Sequence, residues 1–96
     1  MKEDQIDEIK KTLIDALREH EVKKAALFGS IVRGEATEES DIDLLIEFEG
    51  RKSLLDLAGL KLDLQELLRR RVDVLTYKSL HPLLRERILS EQEVIL

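Results

Sequence analysis

The sequence predicts a small α/β domain, a mixed β-sheet flanked by helices, and three observations carry that prediction. Stretches of helical period alternate with short apolar runs of strand length, in the order αβαβαβα with a very short second helix. The chain has 96 residues, the size of one domain spanning 1–96 around one core. Hydrophobic residues make up 43% and charged residues 39%, with no Pro- or Gly-rich tract and no internal repeat, which is the make-up of a soluble globular protein and not of a disordered one.

The elements follow in order. Ile6, Ile9, Leu13, Ile14 and Leu17 recur at helical spacing, which predicts an amphipathic helix over about 3–20 with Lys and Glu on its wet side. His20 lies at its end, where a cation meets the negative end of the helix dipole; a catalytic role is the weaker alternative. AALF (25–28) is a fully apolar run stopped by Gly29, the pattern of a central strand buried on both faces whose end delivers Ser30. From residue 41 the chain alternates: Ile42, Leu44, Ile46 and Phe48 fall on one face of a strand, and Asp41, Asp43, Leu45 and Glu47 on the other.

Gly50 and Ser53 mark a turn and a helix cap before SLLDLAGLKLDLQELLRR, a stretch with eight leucines. LKLDL alone alternates like a strand, but the length and flanks favour helix. So broad a leucine face predicts burial on two sides, against the sheet and against a second protein chain or another copy. Arg69, Arg70 and Arg71 fit a helix C-terminus complementing its dipole, or a phosphate-binding patch. VDVLT (72–76) is a third strand with Asp73 opposite its apolar face. Tyr77 follows as a packing or turn residue, self-modification being the alternative. His81 reads as a turn or capping residue before the helix-starting Pro82, because no second imidazole lies near enough in sequence to make it a metal ligand. The tail closes on VIL.

Composition also excludes. Without cysteine there is no disulfide, thiolate metal site or thiol nucleophile, which fits the reducing cytoplasm. The apolar runs are too short to span a membrane, and MKEDQ is not the start of a signal peptide. A net charge of -5 and 3% aromatic residues argue against a broad nucleic-acid surface, which draws on Lys, Arg and stacking rings.

Asp41 and Asp43, two apart on a strand, point the same way and repel each other. A divalent cation removes that cost, and hard oxygen ligands suit magnesium, which fills its shell with water and substrate phosphates. If the strands are neighbours, Asp73 adds a third carboxylate, the set that two metal ions require. Solvated acids at a strand end are the bland alternative. Gly29 after a buried strand lets backbone approach a ligand, and Ser30 offers its hydroxyl and nearby amides to the phosphates of a nucleoside triphosphate; its alternative is an ordinary N-cap. No GxxxxGK[ST] loop occurs, and DIDLL is not a calcium loop. Two readings of Arg33 stand level, a phosphate contact or an ion pair with Glu35 or an aspartate.

Gly29-Ser30, ten intervening residues, Asp41-Ile42-Asp43 and a later Asp73 together resemble the signature of the DNA polymerase β-like nucleotidyltransferase superfamily. More narrowly, GSIVRGEATEESDIDLLIEF, a leucine-rich helix and RRRVDVLT are similar to the minimal nucleotidyltransferase (MNT) family over almost the whole chain. The resemblance implies the nucleotidyltransferase fold, with Gly29 and Ser30 as the phosphate-binding turn. It implies Asp41 and Asp43 as metal-binding carboxylates, and Asp73 as the third acid, which helps activate the attacking hydroxyl. It further implies ATP as substrate, two Mg2+ ions, and the antitoxin role in a pair with a HEPN-domain toxin, a ribonuclease silenced by AMP transfer to a tyrosine. Two other readings are an antitoxin that neutralises by stoichiometric docking and, against the acidic charge, transfer to a nucleic-acid end.

Overall fold

In the computed structural model, which describes residues 1–96, the apolar periodicities become two helices on one face of a sheet and one on the other. Helix α1 (Glu3–Glu19) leads into β1 (Val22–Phe28), the single-turn α2 (Ser30–Arg33) and β2 (Ile42–Phe48). Helix α3 (Leu54–Leu68) crosses over to β3 (Val72–Thr76), and a 3-10 turn (Tyr77–Ser79) precedes α4 (Pro82–Glu91) and β4 (Glu93–Val94). The strand order is β3-β2-β1-β4. β1 runs antiparallel to β2 and β4, whereas β2 and β3 are parallel, so the sheet is mixed as predicted.

The alternation along β2 decides which side chain meets which layer. Ile42, Leu44 and Ile46 are fully buried with Leu13 and Leu17 of α1, Leu60 and Leu64 of α3, and Val72 of β3. Burying each such side chain stabilises the fold by roughly 1.5–3 kcal/mol. Leu45 faces the other way and packs with Ala26 and Leu80, against Ile88 and Leu89 of α4. Asp43 shares the Leu45 face, so the acids open on the side covered by α4.

The predicted caps hold. Ser53 Oγ accepts from the Asp56 amide at 3.3 Å while the Asp56 carboxylate accepts from the Ser53 amide at 2.7 Å, a capping box that fixes the start of α3. The Ser53 amide first, and then the Ser53 hydroxyl, which donates to the same carboxylate at 3.1 Å, hold the Asp56 carboxyl below its ordinary value. His81 caps α4, its Nδ1 accepting from the Leu83 amide, and His20 ends α1 with Nε2 2.9 Å from Asp63 Oδ2 of α3.

Two expectations need correction. β1 begins at Val22, three residues before AALF, because Lys23 and Lys24 extend an exposed strand start that hydrophobicity does not mark. The tail adds a fourth strand, of which Val94 alone belongs to VIL: Val94 and Glu93 pair with Ala26 and Leu27, and beyond it the Ile95 and Leu96 amides both donate to the Ala25 carbonyl. A two-residue strand is too short for alternation to show. For α3, the chain itself covers the side toward the sheet and leaves the other side open. Leu60 and Leu64 are buried, but Leu54, Leu55 and Leu62 are 84%, 83% and 66% exposed, so the second covering is not supplied within this chain. No helix is long and apolar enough to cross a membrane.

Candidate active site

β1 ends at Phe28, and the chain turns at Gly29 with φ 77° and ψ -151°, a conformation that glycine alone tolerates well. Space imposes the same choice, since a Cβ at this position would collide with Asp43 Oδ2. Ser30 opens α2 beside it. The Gly29 carbonyl, not the serine side chain, accepts the first amide bonds of this turn, from Val32 at 3.1 Å and Arg33 at 3.2 Å. The N-cap is therefore Gly29, and the Ser30 side chain makes no cap hydrogen bond.

Strand register brings the acids to this turn. Phe28 pairs with Asp43 across β1 and β2, and Asp43 pairs with Asp73 across β2 and β3. Asp41 stands one residue before β2, on the same side as Asp43. Burial, and then repulsion from Asp73 and Asp41, push the Asp43 carboxyl above its ordinary value. Asp43 forms no salt bridge, whereas its neighbours do. Arg71 Nε lies 3.4 Å from Asp73 Oδ1 and 3.9 Å from Asp41 Oδ2, and Lys61 Nζ lies 3.9 Å from Asp73 Oδ1.

As arranged, the acidic side chains do not close a three-ligand cation cage. The donor set nevertheless fits magnesium: its ligands would be carboxylate oxygens only, and magnesium completes its octahedron with water and phosphate oxygens where protein ligands are few. The uncompensated Asp43 is the group that a cation would relieve most.

Five of the six predicted site residues, Gly29, Ser30, Asp41, Asp43 and Asp73, gather at this end of the sheet. Arg33 is also near, in ion pairs: its Nε is 3.2 Å from Glu35 Oε2 and its Nη1 is 3.1 Å from Glu91 Oε1. The Glu35 bond first, with the Glu91 charge, holds the guanidinium even more firmly protonated. Arg33 thus makes the ion pair with Glu35 that one of its two readings named.

Sequence reasoning missed three residues. Of the arginine triplet only Arg69 ends α3, in the left-handed conformation. Arg70 Nη1 donates to the Thr37 and Ser40 carbonyls, clamping the loop that leads to Asp41. Arg71 faces the acids, so the helix dipole does not account for it; its spacing of two from Asp73 on an extended segment was the available signal. The third is Glu91, whose Oε1 accepts from the Gly29 amide at 2.7 Å. It lies 62 residues away and carries no local signal. Around it, Gly29, Arg33 and Asp43 face Leu84, Ile88 and Glu91 of α4 across a pocket of about 230 Å³. Roomier hollows lie beside α1 and at the opposite end of the sheet, but neither contains the acid row.

Comparison with known proteins agrees with this geometry. Residues 9–95 match the model of the nucleotidyltransferase domain. A Methanocaldococcus jannaschii protein, MJ0435, provisionally named a protein adenylyltransferase, is 57% identical over 86 residues, covering 90% of this chain and 92% of that one. A solved structure described provisionally as a minimal nucleotidyltransferase superposes with a TM-score of 0.82 at 40% identity, covering 97% of this chain and 95% of the other. The fold also matches, at a TM-score of 0.75 and 18% identity over 94% of this chain and 71% of the other, a chain from a complex described as a tri-AMPylated Shewanella oneidensis HEPN toxin with its MNT antitoxin. With residues 9–95 matched by the family model and nearly its whole length by these relatives, the chain belongs to the nucleotidyltransferase domain family, in the minimal nucleotidyltransferase group.

Proposed function

We propose that this nucleotidyltransferase is an antitoxin that transfers AMP from ATP to a tyrosine hydroxyl of a HEPN-domain toxin and thereby silences it. The observation that carries the reading is the register that sets Asp43 opposite Asp73 and against Gly29. Support for the acceptor and the nucleotide comes from the relatives: the Methanocaldococcus protein by its name, and the Shewanella complex by its AMP-modified HEPN toxin. A toxin of this kind shares a compartment with ATP, which fits the cytoplasm.

The residues divide the work by position. The Gly29 amide and the Ser30 hydroxyl donate to phosphate oxygens. Asp41 and Asp43, with Asp73 beside them, would hold magnesium, two ions in the complete site, which supplies neutralisation of the charge on the phosphates. Asp73 helps activate the acceptor. The tyrosine oxygen bonds to the α-phosphorus in line, the bond from that phosphorus to the bridging oxygen breaks, pyrophosphate leaves, and the phenolic proton passes through a carboxylate to solvent.

Incubation with α-labelled ATP, magnesium and the HEPN-domain protein tests this reading. Label on the toxin with wild-type chain, and none with Asp43→Asn, is the expected result. One observation favours a second reading, neutralisation by docking alone: the uncovered leucines of α3. A folded Asp43→Asn chain that protects cells as well as wild type would establish docking and displace AMP transfer as the cause.

A further inference from the structure

Glu91 occupies a position that the proposed reaction does not use. Its Oε1 accepts from the Gly29 amide at 2.7 Å and from Arg33 Nη1 at 3.1 Å. A backbone amide at a positive-φ turn beside a guanidinium is the pair of donors that an anion takes. Here the anion is the chain's own carboxylate, delivered by the last residue of α4 and only 20% exposed. Its place is otherwise unfavourable, because it adds a negative charge near Asp43, already repelled by Asp73 and Asp41. The two donors are what hold it there.

We propose that Glu91 is an internal competitor of the nucleotide, a carboxylate seated on the phosphate-binding groups that a triphosphate must displace. This rests on the assignment of Gly29 and Ser30 as the phosphate turn. Two anions cannot share the one Gly29 proton, so phosphate bound there requires the Glu91 side chain to leave. The room available says the same: about 230 Å³ is below the roughly 300–1,000 Å³ of ligand pockets, and Glu91 lines it. Its departure would release Arg33 from one of two carboxylates, leaving the Glu35 pair and freeing the other end of the guanidinium for phosphate. Glu91 thus sets the affinity for the anionic part of the substrate and not for its base.

Calorimetric binding of Mg-ATP, inorganic tripolyphosphate and adenosine to the full-length chain separates the possibilities. Glu91→Gln is expected to bind Mg-ATP and tripolyphosphate about tenfold more tightly than wild type, equivalent to about 1.4 kcal/mol, with adenosine unchanged. Glu93→Gln removes the same charge from a residue paired with Lys10, away from the turn, and is expected to behave as wild type. If Glu91→Gln does not fold, Glu91→Asp replaces it, keeping the charge but one methylene short of the amide, with tightening again expected. Equal or weaker triphosphate binding by the Glu91 variant, or equal tightening by Glu93→Gln, overturns the competitor while leaving the phosphate turn intact. Absence of triphosphate binding in wild type and variant alike overturns the phosphate turn and the competitor with it.

Discussion

Asp43 is held where its charge is least welcome: partly buried, beside two other acids and without a cationic partner of its own. Such a carboxylate opposes folding until a cation arrives. Asp43→Asn is therefore expected to melt no lower than wild type in metal-free buffer, and to lose AMP transfer by on the order of 100-fold or more, beyond the 10–100-fold typical of groups outside the ligand set. Equal transfer rates in a labelled-ATP assay would refute the role of this residue. Gly29→Ala should instead fail in both respects, losing stability as well as transfer. The added Cβ meets Asp43 and the backbone stays at positive φ, a strain of roughly 1–3 kcal/mol. A fall of several degrees in melting temperature checks it, at roughly 4–8 °C per kcal/mol for a domain of this size. At this scale the acids were legible because alternation along a strand is a local property. Glu91 was not, since only the completed packing of α4 brings it to Gly29.

Individual elements have their own tests. The Ser53 cap is local to the start of α3, and Ser53→Ala should cost about 1 kcal/mol in denaturant melts. Its partner Asp56 titrates below its ordinary value because the folded state donates hydrogen bonds to the charged form. The sign follows from linkage: that stabilisation is complete above the unfolded value, near 3.9, and is lost as pH falls through the lower folded value. Between pH 5 and 3, Asp56→Asn should thus lose less stability than wild type; an identical loss would contradict the cap. The long elements were readable from period and caps, α3 from Ser53 onward and β3 in full. β4 was not, because two residues held by the edge of β1 leave no pattern in the sequence. The arginine triplet was misread for a related reason: a helix end was visible, but not the loop and acids folded against it.

For the molecule as a whole, the fold class followed from the order of elements, while the position of β4 at the sheet edge did not. What the fold leaves open is the outer side of α3. Leu55 and Leu62, seven residues apart, lie on one helical stripe and are largely exposed. Replacing both by Lys should change stability by less than about 0.5 kcal/mol, as surface substitutions do. The same double variant should weaken the proposed complex with a HEPN-domain toxin, read by size-exclusion chromatography and calorimetry. A complex of undiminished affinity would move the docking surface elsewhere.

The parallel pairing of β2 with β3 also orders events in time. β1 and β2 are antiparallel neighbours in sequence, but Asp73 reaches Asp43 only after the chain has crossed over through α3 and β3 has found its register. Closing such a non-local contact is slower than closing a hairpin. A refolding chain should accordingly regain helix and much of its strand signal before it regains nucleotide binding. An incompletely folded chain then has no complete acid row, and the proposed AMP transfer waits for the finished sheet.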